Sequence, residues 1–174
     1  MKFVIILIFT VSPAIYAKDK QDQKLKHREH HAHAHGAGTL GIAFEGLKGN
    51  IEFKIPSESI FGFEYAAKSE KDKNKKTEAL EKLEAKISEM IVFDASLGCK
   101  IIKDKIEVLA ESDKHSDVAA TYNVTCDKSP TGSEIIFNFQ KQFPKIKDLG
   151  VQVIVDNLQK SADVEKNNTK LILK

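Results

Sequence analysis

The chain lacks tryptophan, carries only two cysteines, and is almost neutral, with a formal net charge of +2 over 174 residues. Without a basic excess there is no global electrostatic reason to bind nucleic acid, so that class of partner is set aside. After residue 17 no apolar run approaches the about 20 residues of a spanning helix, so no stable membrane insertion is expected there. Catalytic signatures are missing as well. There is no His-Glu-x-x-His pattern, no Gly-x-Ser-x-Gly elbow and no Gly-rich phosphate loop. The pair His33 and His35 has the His-x-His form that opens some metal-dependent barrels. The chain, however, is well short of the roughly 250 residues of a (β/α)8 barrel. These absences argue against an enzyme.

The first residues, "MKFVIILIFTVSPAIYA", have the layout of a secretory signal: a positive Lys2, an apolar stretch from Phe3 to Val11, and Ala17 as the last residue before cleavage. No cysteine follows the apolar stretch, which speaks against a lipid-modified N-terminus. Removing Lys2 lowers the formal charge to +1. Residues 1–17 are therefore read as a signal peptide and the chain as exported to the periplasm. For an exported chain, an even cysteine count favours a disulfide between Cys99 and Cys126. The alternative is two free thiols, buried or metal-ligating. A bridge here would close a mid-sized loop and stabilise by roughly 3–4 kcal/mol.

What is abundant is histidine in one place. Five of the six histidines fall between His27 and His35, in "KHREHHAHAHGAG". Residues 18–38 are polar and charged, too poor in apolar surface to offset their ordering entropy, and are read as a flexible metal-binding arm. Neutral imidazole is a common metal ligand near neutral pH. In an extended arm His31, His33 and His35 project to one side. In a helical arm His27 pairs with His31, and His31 with His35, at i,i+4. Either way two or three imidazoles can reach one ion, and Gly36 and Gly38 let the chain bend into the first strand. The interrupted tract inside a natural-looking chain is unlike a purification tag. Imidazole suits zinc, copper, nickel and cobalt alike, so Zn2+ is the expected ion with other divalent transition metals open. Because protonated imidazole does not ligate, affinity should fall near and below about pH 6.5.

Residues 39–174 read as a single α+β domain: mostly antiparallel strands with one long amphipathic helix packed on the sheet. "TLGIAFEG" and "NIEFKIP" alternate and predict a hairpin, with Leu40, Ile42, Phe44 and Ile51, Phe53, Ile55 facing inward. "SESIFGFEYAAKSE" reads as irregular. Leu80, Leu83, Ile87, Met90 and Ile91 recur at helical spacing and predict a helix over about 73–93. Alternation then returns, with candidate turns at Lys103-Asp104 and at 111–116. His115 lies in that second turn, beside Asp117. Taken alone it is as readily a surface histidine as a ligand. Two or three tract histidines plus His115 would complete a tetrahedral zinc site, or one with an open water position. Glu64, in "FGFEY", is the best additional carboxylate, although an exposed loop glutamate is the plainer reading.

Several segments together resemble the ZrgA-type family of bacterial periplasmic zinc-uptake proteins. They are "HAHGAGTLGIAFEG" (33–46), "FGFEYA" (61–66), "LGCKII" (97–102), "HSDVAATYNVTC" (115–126) and "FPKIKDLGVQVIV" (143–155). The resemblance implies a periplasmic zinc-binding protein that helps supply an inner-membrane zinc importer, either a zinc ABC importer or its binding protein. By motif His33 and His35 fall on the family's His-x-His-Gly opening. His115 falls on the histidine before the strand that leads to the second cysteine, and Cys99 and Cys126 fall on its cysteine pair. Two positions depart: Ala34 replaces a common acidic residue, and Tyr65 stands where a histidine often follows "FE". The expected site is thus His31, His33, His35 and His115. His27, His30, Glu64 and Asp117 are weaker members. A periplasmic metal buffer or store, or an exported scaffold domain with incidental metal binding, are the other readings.

Overall fold

The computed structural model describes residues 36–110 and 114–174. The hairpin is formed by β1 (Ala37–Glu45) and β2 (Lys48–Pro56). As the alternation predicts, Leu40, Ile42, Phe44, Ile51, Phe53 and Ile55 are all buried. β1 begins at Ala37 rather than Thr39. Gly36 turns the chain with a φ of +87°, and its carbonyl accepts from the backbone N–H of both Lys147 and Asp148. A Cβ at this position would lie 2.9 Å from the Lys145 carbonyl oxygen. Gly36→Ala is therefore expected to cost about 1–3 kcal/mol, read as a lower denaturation midpoint. Gly38 contributes a different freedom: it lets β1 approach the Ile55 side chain and the Lys54 carbonyl closely.

After β2 come α1 (Ser57–Phe61), α2 (Glu70–Met90) and β3 (Ile91–Phe93). The segment expected to be irregular therefore opens with a short helix, which ends at Gly62 in the left-handed conformation. The long helix starts earlier than expected, because the Ser69 hydroxyl accepts from the Asp72 N–H and caps it. It also ends earlier, at Met90. Ile91-Val92-Phe93 is apolar on successive residues, fits either period, and is drawn into an antiparallel pair with β6 (Glu134–Phe137). Leu83, Ile87 and Met90 of α2 are buried.

β4 (Lys100–Ala110) runs straight through the turn expected at Lys103-Asp104. Its register against β5 (Ser116–Thr125) shifts between Lys103 and Lys105. Asp104 is accommodated as a bulge, and its carboxylate accepts from the Thr121 hydroxyl at 2.9 Å. The remaining elements are α3 (Phe139–Gln142), β7 (Asp148–Val155), β8 (Leu158–Asp163) and β9 (Thr169–Ile172). Two sheets result, one in the order β4-β5-β2-β1-β7-β8 and one in the order β3-β6-β9. Pairing is antiparallel throughout except for β1 with β7, which is parallel.

The core lies on one face of the larger sheet. Phe53 of β2 stacks on Phe139 with ring centroids 5.6 Å apart, and Phe44 of β1 meets Phe93 edge-on at 5.7 Å. The buried Tyr122 hydroxyl of β5 lies 3.5 Å from the Leu83 carbonyl of α2. Its desolvation pushes the phenol pKa well above its usual value. On the other face Lys48, Asn50, Glu52 and Lys54 of β2 are exposed.

Candidate metal centre

Strand direction decides which loops meet. The start of β1, the end of β2, the start of β5 and the start of β7 all lie at one end of the larger sheet. At that end Pro56 pairs with Asp117, and Ala37 pairs with Asp148. Gly36 and His115 are thus separated laterally by the one strand β2, or about 10 Å at the usual interstrand spacing.

The loop after α1 crosses the same end. Phe61 and Phe63 are buried, and Tyr65 stacks on Phe63 with centroids 4.7 Å apart while remaining 53% exposed. Between the two stacked rings, Glu64 takes the alternate direction. Its Oε2 lies 2.7 Å from Nδ1 of His115. The Ser116 hydroxyl donates to the Glu64 backbone carbonyl at 2.8 Å. The loop is therefore tied to β5 twice. The Glu64 side chain is 11% exposed and that of His115 is 42% exposed, so the carboxylate is the more buried partner.

The structure thus brings together two of the residues singled out in the sequence, 51 positions apart. It places Asp117 differently. Val118, Ala120, Tyr122 and Val124 are buried, so Asp117 sits on the opposite side of β5, where its Oδ2 pairs with Lys54 Nζ at 3.0 Å. Ser116 and Lys54 are additions that the sequence reading does not contain. Lys54 is legible as an outward position of β2, but its partner follows only from the strand order. His27, His30, His31, His33 and His35 lie outside the described residues. Among the described residues no group of three or more His, Cys, Asp or Glu is arranged to hold a metal. Glu64 and His115 form a pair, short of such a group.

Cys99 and Cys126 are joined in a disulfide, as expected, with Cα atoms 3.9 Å apart. The adjacent pair Lys100 and Thr125 shows that the bridge closes the opposite end of β4 and β5 from His115. Neither sulfur is then a thiolate available to a metal.

The described residues thus form a mostly β scaffold closed by one disulfide, with an imidazole and a carboxylate paired at the other end of β5. Residues 32–173 match the model of the ZrgA family of zinc uptake proteins, and the chain belongs to that family. No curated protein matches the chain. The matched span includes His33, His35, Glu64, His115 and both cysteines, and begins after His27, His30 and His31. Family membership gives the chain a role in zinc uptake. No helix among the described residues is long and apolar enough to cross a membrane.

Proposed function

We propose that this chain captures zinc in the periplasm at the end of the sheet that carries Glu64 and His115, and assists its transfer to an inner-membrane zinc importer. His115 supplies one donor from the domain. His31, His33 and His35 of the N-terminal arm supply the others. The observation that carries this reading is the Glu64–His115 pair, held 2.7 Å apart at the sheet end where Gly36 roots the arm.

Reach supports it. An extended chain covers at most about 3.3–3.6 Å per residue. Measured from Gly36, His33 reaches about 10 Å and His31 about 17 Å, enough to meet His115 across β2. Cleavage near Ala17 leaves the whole arm on the exported chain. His27 and His30 lie further out and act as weaker catchers. Zinc here is cargo, bound by coordination and released, so no catalytic step is invoked.

The direct test is zinc titration by calorimetry or chelator competition at pH 7.5 and 5.5. A structural zinc bound by four ligands is worth about 10–16 kcal/mol, or roughly 3 kcal/mol per ligand. His115→Ala should therefore weaken binding about a hundredfold at pH 7.5. The intact chain should bind more weakly at pH 5.5, where imidazole is protonated and cannot ligate. Binding confined to millimolar zinc in the intact chain would remove this reading and favour a scaffold role.

A further inference from the structure

We infer that Glu64 is a positioning residue, which fixes His115 as an Nε2 zinc ligand without itself binding the ion. This rests on the zinc reading of the site. An ionised carboxylate can only accept hydrogen bonds, so with Glu64 ionised the 2.7 Å contact from Oε2 to Nδ1 puts the proton on Nδ1. In the neutral ring the lone pair is then on Nε2. Left to itself, a neutral imidazole distributes between two tautomers, and only one of them presents Nε2 to a metal.

Three observations make Glu64 suited to this role. Its side chain is 11% exposed against 42% for that of His115, so the imidazole is the more open of the two to an ion arriving from solvent. Its backbone is clamped by the Ser116 hydroxyl at 2.8 Å. The neighbouring Phe63 is buried, with Tyr65 stacked on it, which fixes the direction of the side chain between them. Metal-bound histidines commonly donate their other N–H to a carboxylate or carbonyl, and losing that partner typically costs 10–100-fold in metal affinity. The sequence offers Glu64 as a weak ligand; the geometry gives it a different task.

The test has two parts. In zinc-free protein at pH 7.5, nitrogen NMR should show His115 protonated at Nδ1, and added zinc should perturb Nε2. The opposite tautomer, or a zinc-induced change at Nδ1, overturns the inference. In zinc titrations E64A should weaken binding 10–100-fold, whereas E64Q, which keeps an acceptor oxygen, should lose only about threefold. Equal losses in E64Q and E64A, with both variants folded by circular dichroism, would make Glu64 a charged ligand and sink the positioning role. If H115A binds zinc as tightly as the parent, the proposed site itself fails. The tautomer measurement in zinc-free protein is independent of that result, so the two failures can be told apart.

Discussion

A chain lacking residues 18–35 is expected to bind zinc about a thousandfold more weakly than the chain that retains them, a loss of about 4 kcal/mol. The reason is donor count. Zinc prefers four ligands, and the described part of the molecule brings together only Glu64 and His115. Of these, the carboxylate is occupied in orienting the ring. Deleting the arm therefore removes three of the four proposed donors, while H115A removes one. The per-ligand energies would predict more than a thousandfold, but water and outer carboxylates replace part of what is lost. Domain stability should be unchanged, because Gly36 and its hydrogen bonds to Lys147 and Asp148 remain. If the truncated chain binds zinc as tightly as the intact one, the arm is not the main ligand set. If the arm alone binds as tightly as the whole chain, His115 is a bystander.

Legibility in the sequence depends on the range of the interaction concerned. The inward faces of β1 and β2 are legible because alternation is a local signal, and all six expected core residues are buried. The cysteine pair is favoured by count and compartment, and the bridge is there. Periodicity misplaces the end of the long helix because Ile91-Val92-Phe93 satisfies helical and strand periods equally. Only the approach of Ile135 and Phe137 from the distant β6 makes it a strand. Lys103-Asp104 resembles a turn because its polar pair interrupts an apolar pattern. The chain instead absorbs it as a bulge. The parallel pairing of β1 with β7 leaves no local mark at all, since the side-chain alternation of β7 would suit an antiparallel neighbour as well.

The candidate site shows the same division. His115 can be picked out by residue type and by family resemblance, and Glu64 by residue type. Their contact cannot, because it depends on β5 lying next to β2, a pairing that local patterns do not specify. Asp117, two residues from His115, is the nearer carboxylate in sequence. Its carboxylate is engaged instead by Lys54 of the neighbouring strand β2, at 3.0 Å. Proximity in sequence favours the wrong acid, and topology chooses the one 51 positions away.

Replacing both cysteines by serine is expected to lower the stability of the domain by about 3.5 kcal/mol, and to leave zinc affinity within about threefold of the parent while the chain is folded. The bridge joins positions 27 apart, and the chain-entropy relation for a loop of that size gives this figure. It fastens β4 to β5 where β5 leaves the sheet, next to a backbone hydrogen bond from Cys126 N–H to the Leu47 carbonyl. β5 is 10 residues long, so the bridge and His115 are about 30 Å apart along the strand. At His115 the register is held instead by pairing of Val118 with Ile55 and of Asp117 with Pro56. Denaturant titration of the double variant, or of the parent under reducing conditions, reads the first effect. Calorimetric zinc titration well below the unfolding midpoint reads the second. A stability loss under about 1 kcal/mol would mean that the sheet ladder restrains these chain ends without the bridge. A tenfold loss of zinc affinity in a folded variant would mean that β5 transmits strain from one end of the sheet to the other. The ladder of pairs along both edges of β5 argues against such transmission, because each pair fixes the strand locally.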